Sequence, residues 1–171
     1  MDRRVTLLGD PILRVNCRSV SAFASDEVSE VARTLEKTLQ AVREELGFGR
    51  GIAAPQVGSD LRIVFVRIDE PLVLINPTIE YRSEEMFEMW DDCLSLPELL
   101  VRVLRHKVIT VDYRDLTGKA RTLRAEGDLS ELLQHEIDHL DGTLMLDRAH
   151  GHNAVYLRSE WDRQFTRRDG A

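Results

Sequence analysis

Disulfide frameworks, long apolar runs and an excess of positive charge are all missing from this 171-residue chain. Its two cysteines, Cys17 and Cys93, allow one bridge at most. That is too few for a secreted scaffold of this size, and it points to a reducing compartment with both thiols free. The longest apolar runs, 63–66 and 72–75, fall far short of a membrane span. Asp10 and Pro11 interrupt the apolar stretch that a secretion signal would need within residues 1–25, so a cytoplasmic location is expected. Acidic residues outnumber basic ones by 30 to 23, for a net charge of −7. A protein that grips nucleic-acid phosphates carries the opposite sign, so no nucleic-acid partner is expected. What is present is an ordinary globular mixture, 43% hydrophobic and 31% charged, which argues against disorder. The length suits a single domain over 1–171, large enough to bury a core without covalent staples.

Apolar periodicity orders the elements. Asp10-Pro11 reads as the capped start of a short helical turn. Val28, Val31, Ala32, Leu35, Leu39, Val42 and Leu46 recur at helical spacing and predict a helix over 26–46, begun by Ser25 or Asp26 and ended by Gly47. Strand-like runs follow at 61–68, 72–75, 78–82, 86–90, 99–104, 108–114 and 120–125. The last two flank Asp115-Leu116-Thr117-Gly118, a hairpin turn. A second helix is predicted over 129–141, with Asp128 as cap and Glu131 completing a capping box. A third is predicted over 158–168, amphipathic around Trp161 and Phe165. The order helix, strands, helix gives an α+β fold.

The second helix carries the sequence His135-Glu136-Ile137-Asp138-His139. Two histidines four residues apart share a helix face, so both imidazoles can reach one metal ion, with Glu136 near enough to touch its water. The same pentapeptide is also compatible with two satisfied histidines and no metal. A third ligand is needed, and His106, His150, His152 and Cys93 are available. Cys93 is the better candidate, although taken alone it reads as a small buried core residue, as Cys17 does. Gly49-Arg50-Gly51-Ile52-Ala53-Ala54-Pro55-Gln56 is either a tight helix-to-strand turn or a place where backbone passes close to another group.

Together, GRGIAAPQ (49–56), DDCLS (91–95) and QHEIDHLDG (134–142) resemble the peptide deformylase family in order and spacing. The segment 9–14, Asn76-Pro77, Ser95-Leu96-Pro97 and Asp147-Arg148 extend the likeness over about residues 5–150. The resemblance implies antiparallel sheets packed around a central HExxH helix. It also implies a metal held by Cys93, His135 and His139, with Fe(II) as the usual ion and Zn, Ni or Co as substitutes. Glu136 would be the general acid/base. Gln56 and the backbone N–H of Leu94 would stabilise the oxyanion, and Gly51 would contact substrate backbone. Asp91 would pair with Arg105. The implied reaction is hydrolysis of an N-formyl group from N-formylmethionyl peptides, releasing formate.

The chain departs from the family on the substrate side. Arg50 stands where the family has an aliphatic residue, Asp92 replaces a glycine, and Asp128 and Glu131 replace apolar residues on the helix face toward the methionine pocket. Either Arg50 and Glu131 pair within a more polar pocket that takes a specialised N-formyl substrate, or Arg50 points to solvent and Glu131 serves only as a cap. A non-catalytic deformylase-like binding protein is a further alternative, against which the intact Cys93, His135, Glu136, His139 and Gln56 argue.

Overall fold

The Ser25 hydroxyl accepts the Val28 N–H and starts helix α1 (Asp26–Leu46). Gly47, at φ 77°, ends it in the left-handed region. Val28, Ala32, Leu35 and Leu39 are buried as the periodicity predicts, but Leu46 is exposed, because the last turn runs past the cluster on which the helix packs. The computed structural model describes residues 5–166. The strands, in chain order, are β1 (Gly51–Ala53), β2 (Ile63–Arg67), β3 (Pro71–Arg82), β4 (Met86–Asp92), β5 (Leu99–His106), β6 (Val108–Arg114), β7 (Ala120–Glu126) and, after helix α2 (Asp128–Leu140), β8 (Val155–Leu157).

They form a five-stranded sheet in the order β1-β2-β3-β6-β7 and a three-stranded sheet in the order β4-β5-β8, each neighbouring pair antiparallel. The apolar run 63–66 has a plain cause. Ile63 and Phe65 point to α1, while Val64 and Val66 point to α2, so β2 is buried on both faces. Two strands expected at 72–75 and 78–82 are one, β3, carried through Pro77 by a shift in register. Asn76 sits at φ 52° in that bulge, and its side chain exchanges two 2.8 Å hydrogen bonds with the Val20 backbone.

Helix α2 is buried from Ser130 to Leu140 and lies at the centre of the α+β fold. Leu132, Leu133, Ile137 and Leu140 pack on Val64, Val66, Leu74, Ile109 and Val111. Gln134 fixes α2 to the end of β5, accepting the His106 N–H at 3.0 Å and donating to the His106 carbonyl at 2.9 Å. The expected capping box is not formed. Gly127, at φ 58° and ψ −124°, is the residue before the first turn and offers no side chain, so Asp128 falls inside the helix, exposed, and Glu131 is free to bond elsewhere. After β8, a short helix α3 (Arg158–Trp161) runs into a π-turn (Asp162–Thr166), with Trp161 and Phe165 stacked near Trp90 and Tyr156. Residues 167 and 168 of the expected third helix lie outside the described residues.

Candidate active site

Three separate elements converge on one end of α2. The β4 strand ends at Asp92 and delivers Cys93 into a buried loop. A 3-10 turn (Ala54–Val57) after β1 places Gln56, and α2 supplies His135, Glu136 and His139. The N-terminal stretch laces the two loops together, Thr6 N–H to the Gln56 carbonyl at 2.8 Å and Leu8 N–H to the Ser95 carbonyl at 2.9 Å.

Cys93, His135 and His139 are all buried, and one ligand atom of each lies within 4.8 Å of the others. Cys93 Sγ and His139 Nε2 are 3.2 Å apart. His135 turns Nδ1 to Asp91 at 3.0 Å, which leaves Nε2 for the shared space. Sulfur and two imidazole nitrogens suit a borderline-soft divalent ion and not Mg or Ca. The carboxylate behind His135 is the usual outer partner of a metal-binding imidazole. The donor set therefore fits one metal ion. His106 instead contacts the Ser83 carbonyl through Nδ1, and His150 and His152 lie exposed beyond α2.

Glu136 is buried against Gly51, and its Oε2 has no hydrogen-bond partner among the described residues. Burial pushes its carboxyl up to about 7. Gln56 is oriented by the Ala53 N–H, which donates to Oε1 at 2.8 Å, so that Nε2 faces Ser95 Oγ at 3.2 Å and Cys93 Sγ at 3.7 Å. Burial and the neighbouring His135 hold the His139 pKa well down, keeping that imidazole neutral.

Asp91 pairs with Arg105 at 2.9 Å, as expected. Burial alone would raise its carboxyl, but His135 and Arg105 outweigh that and bring it to about 2. Burial opposes a proton on His135, yet Asp91 and Cys93 together hold its pKa well up. Arg105 also donates to Asp138 at 2.6 Å, and Asp138 is gripped by Arg148 at 2.7 Å. The Asp91–Arg105 pair is the one the family resemblance implies; the links to His135 and Asp138 join elements far apart in sequence.

A cavity of about 400 Å³ opens over the cluster. It takes in four positions expected to meet substrate, Arg50, Gly51, Asp92 and Glu131, together with Gln56 and Leu94. Asp128, expected to face it, does not. Arg50 Nη2 donates to Glu131 Oε1, so the pair is formed. Asp92 accepts from Arg158 at 3.0 Å, a partner beyond β8 that no local pattern announces. Leu132, Met89 and Trp90 also line the cavity and were not singled out in the sequence.

An HExxH helix among antiparallel sheets, its histidines gathered with a thiol and its glutamate facing a cavity, defines a metallohydrolase. The polypeptide deformylase family profile matches residues 2–154. A peptide deformylase of Dictyoglomus thermophilum is 42% identical over 150 residues, covering 87% of this chain and 94% of that protein. Among solved structures, the peptide deformylase of Synechococcus elongatus in complex with actinonin superposes with a TM-score of 0.82 at 33% identity, over 95% of this chain and 85% of that one. The peptide deformylase of Thermotoga maritima gives 0.78 at 34% identity, over 87% and 98%. The chain belongs to the polypeptide deformylase family, metallohydrolases that use a single metal ion and cleave the formyl-peptide amide.

Proposed function

We propose that Cys93, His135 and His139 hold the single metal ion, Fe(II) in the first instance with Zn, Ni or Co as substitutes, and that the protein removes the formyl group from N-formyl peptides, formylmethionyl peptides included. The observation that carries this reading is the gathering of one thiol and two imidazoles within 4.8 Å beside a glutamate with an unpartnered buried oxygen. A bound ion supplies Lewis acidity, making water a competent nucleophile near neutral pH.

The chain's own groups account for the rest. Gln56 Nε2 and the Leu94 N–H offer donors to the formyl oxygen as negative charge develops on it, where preorganised dipoles act most strongly. Glu136, whose buried Oε2 is left without a partner among the described residues, takes a proton from the attacking water and hands it to the leaving nitrogen. The carbon–nitrogen bond breaks, giving formate and a free amine. Asp91 fixes the His135 ring, and Arg105 fixes Asp91. The proposed place of action is the cytoplasm, whose reducing conditions suit free Cys17 and Cys93. Metal analysis and formate release from formyl-Met-Ala-Ser test the reading. About one ion per chain and a turnover lost in Glu136→Gln are expected. A protein that binds no stoichiometric metal, or one whose Cys93→Ala variant keeps its metal, would refute the ligand assignment.

A further inference from the structure

One wall of the cavity carries an ion pair for which deformylation itself has no use. Arg50, in the loop between α1 and β1, donates through Nη2 to Glu131 Oε1. The Glu131 side chain is 4% exposed and that of Arg50 42% exposed, so the carboxylate forms the wall and the guanidinium reaches over it from the mouth. Glu131 is one helical turn from His135 on the same face of α2, which sets the pair beside the metal cluster. The pair uses one nitrogen and one oxygen. Arg50 Nε and Nη1 and Glu131 Oε2 have no other hydrogen-bond partner among the described residues, so the cavity wall presents spare donors next to a spare acceptor.

We infer that the Arg50–Glu131 pair reads the first side chain of the substrate and favours a neutral carboxamide of the glutamine type over thioether, acidic or basic side chains. This rests on the deformylase reading given above. The pair is already neutral, so a third charge has no counter-charge. A substrate carboxylate drawn to Arg50 also faces Glu131, and a substrate ammonium drawn to Glu131 also faces Arg50. A thioether strips water from the spare donors and acceptor and returns no hydrogen bond. A carboxamide satisfies both, its carbonyl accepting from Arg50 and its amide N–H donating to Glu131. Glutamine is unbranched and about as long as methionine, so its stem can lie against Met89, Trp90 and Leu132 with no other change in the cavity.

The test compares kcat/KM for formate release by the metal-loaded protein from formyl-Gln-Ala-Ser, formyl-Met-Ala-Ser, formyl-Glu-Ala-Ser and formyl-Lys-Ala-Ser. Calorimetric Kd values for the products Gln-Ala-Ser and Met-Ala-Ser read the side-chain site without turnover. The glutaminyl substrate should exceed the methionyl one by about tenfold, with both charged substrates lower still, and the glutaminyl product should bind more tightly by a similar factor. The double variant Arg50→Ile/Glu131→Ile should reverse the order; should it not fold, the wild-type ratios alone decide. Methionine turned over as fast as glutamine, a charged substrate turned over fastest, or equal product affinities would overturn the inference. Formate from none of the peptides would refute the deformylase reading instead, and the ratio of product affinities would still decide the side-chain site.

Discussion

Gly51 is the position where a single methyl group is expected to cost most. Its backbone is pinned by β1, where it opposes Val66. Its conformation is open to any residue, so alanine there meets no backbone strain. The obstacle is Glu136. A Cβ on residue 51 would stand 2.6 Å from Oε1 and 3.0 Å from both Cδ and Cγ. Ordinary contact begins near 3.4 Å, so the carboxylate must recoil by about 0.8 Å, with its stem also pushed. Helix and strand are both buried, so it is the Glu136 side chain, facing the cavity, that gives way. A displacement of that size at the proposed general base lowers turnover by about 10²-fold, while overpacking costs at most roughly 1–3 kcal/mol of stability. Gly51→Ala should therefore fold and keep its metal, since Cys93, His135 and His139 are untouched, yet release formate about a hundred times more slowly. Metal analysis, a thermal melt and a formate assay on one preparation separate these effects. Turnover within about threefold of wild type would show that the glutamate need not be held where Gly51 leaves it, and would refute the argument.

Glu136→Gln keeps the shape and removes the proton carrier, so kcat should fall by about 10²–10⁴ with metal content unchanged; retained turnover counts against Glu136 as the base. Arg105→Met leaves the buried Asp91 carboxylate without its guanidinium and should lower the unfolding free energy by about 3–5 kcal/mol in urea titrations. A loss below about 1 kcal/mol would mean that the relay is not structural. Burial pushes the Cys17 thiol up to about 11, so the folded protein prefers the neutral form while the unfolded chain ionises near pH 9. This contribution is complete below pH 9 and lost on rising to pH 11, so wild type should lose roughly 2–3 kcal/mol over that interval that Cys17→Ala does not. Parallel curves for the two proteins would rule the thiol out.

The geometry of the candidate site was legible in the sequence wherever it depends on local spacing. His135 and His139 share a face because they are four apart on a helix, and no tertiary information is needed to see it. The α1 boundaries were legible for the same reason, being written in Ser25, the apolar stripe and Gly47. What stayed hidden depends on backbone conformation or on distance along the chain. Asp128 and Glu131 have the spacing of a capping box, but the φ and ψ of Gly127 shift the helix start by one residue and release Glu131 to Arg50. Pro77 reads as a break between strands, yet the Asn76 side chain secures a bulge that lets one strand pass. β1 and β8, at three residues each, are too short for alternation to show.

The distances among Cys93, His135 and His139 have a separate origin. Cys93 belongs to the end of the three-stranded sheet, whereas α2 packs on the five-stranded one, so no local rule sets the gap between thiol and imidazoles. Three ties close it. Gln134 holds both backbone groups of His106 and fixes α2 to β5, the immediate neighbour of β4. Arg105, opposite Phe87 in the β4–β5 register, reaches Asp91 of the cysteine strand and Asp138 of the helix with the two arms of one guanidinium. The segment at Thr6 and Leu8 binds the Gln56 turn and the Ser95 loop from outside. Each tie uses a polar group that is costly to bury unless it is paired, so a change in the separation of the sheets breaks several bonds at once. A centre assembled this way is held rigidly by groups that never touch the substrate, which is why Arg105 is expected to matter to the metal site without taking part in the reaction.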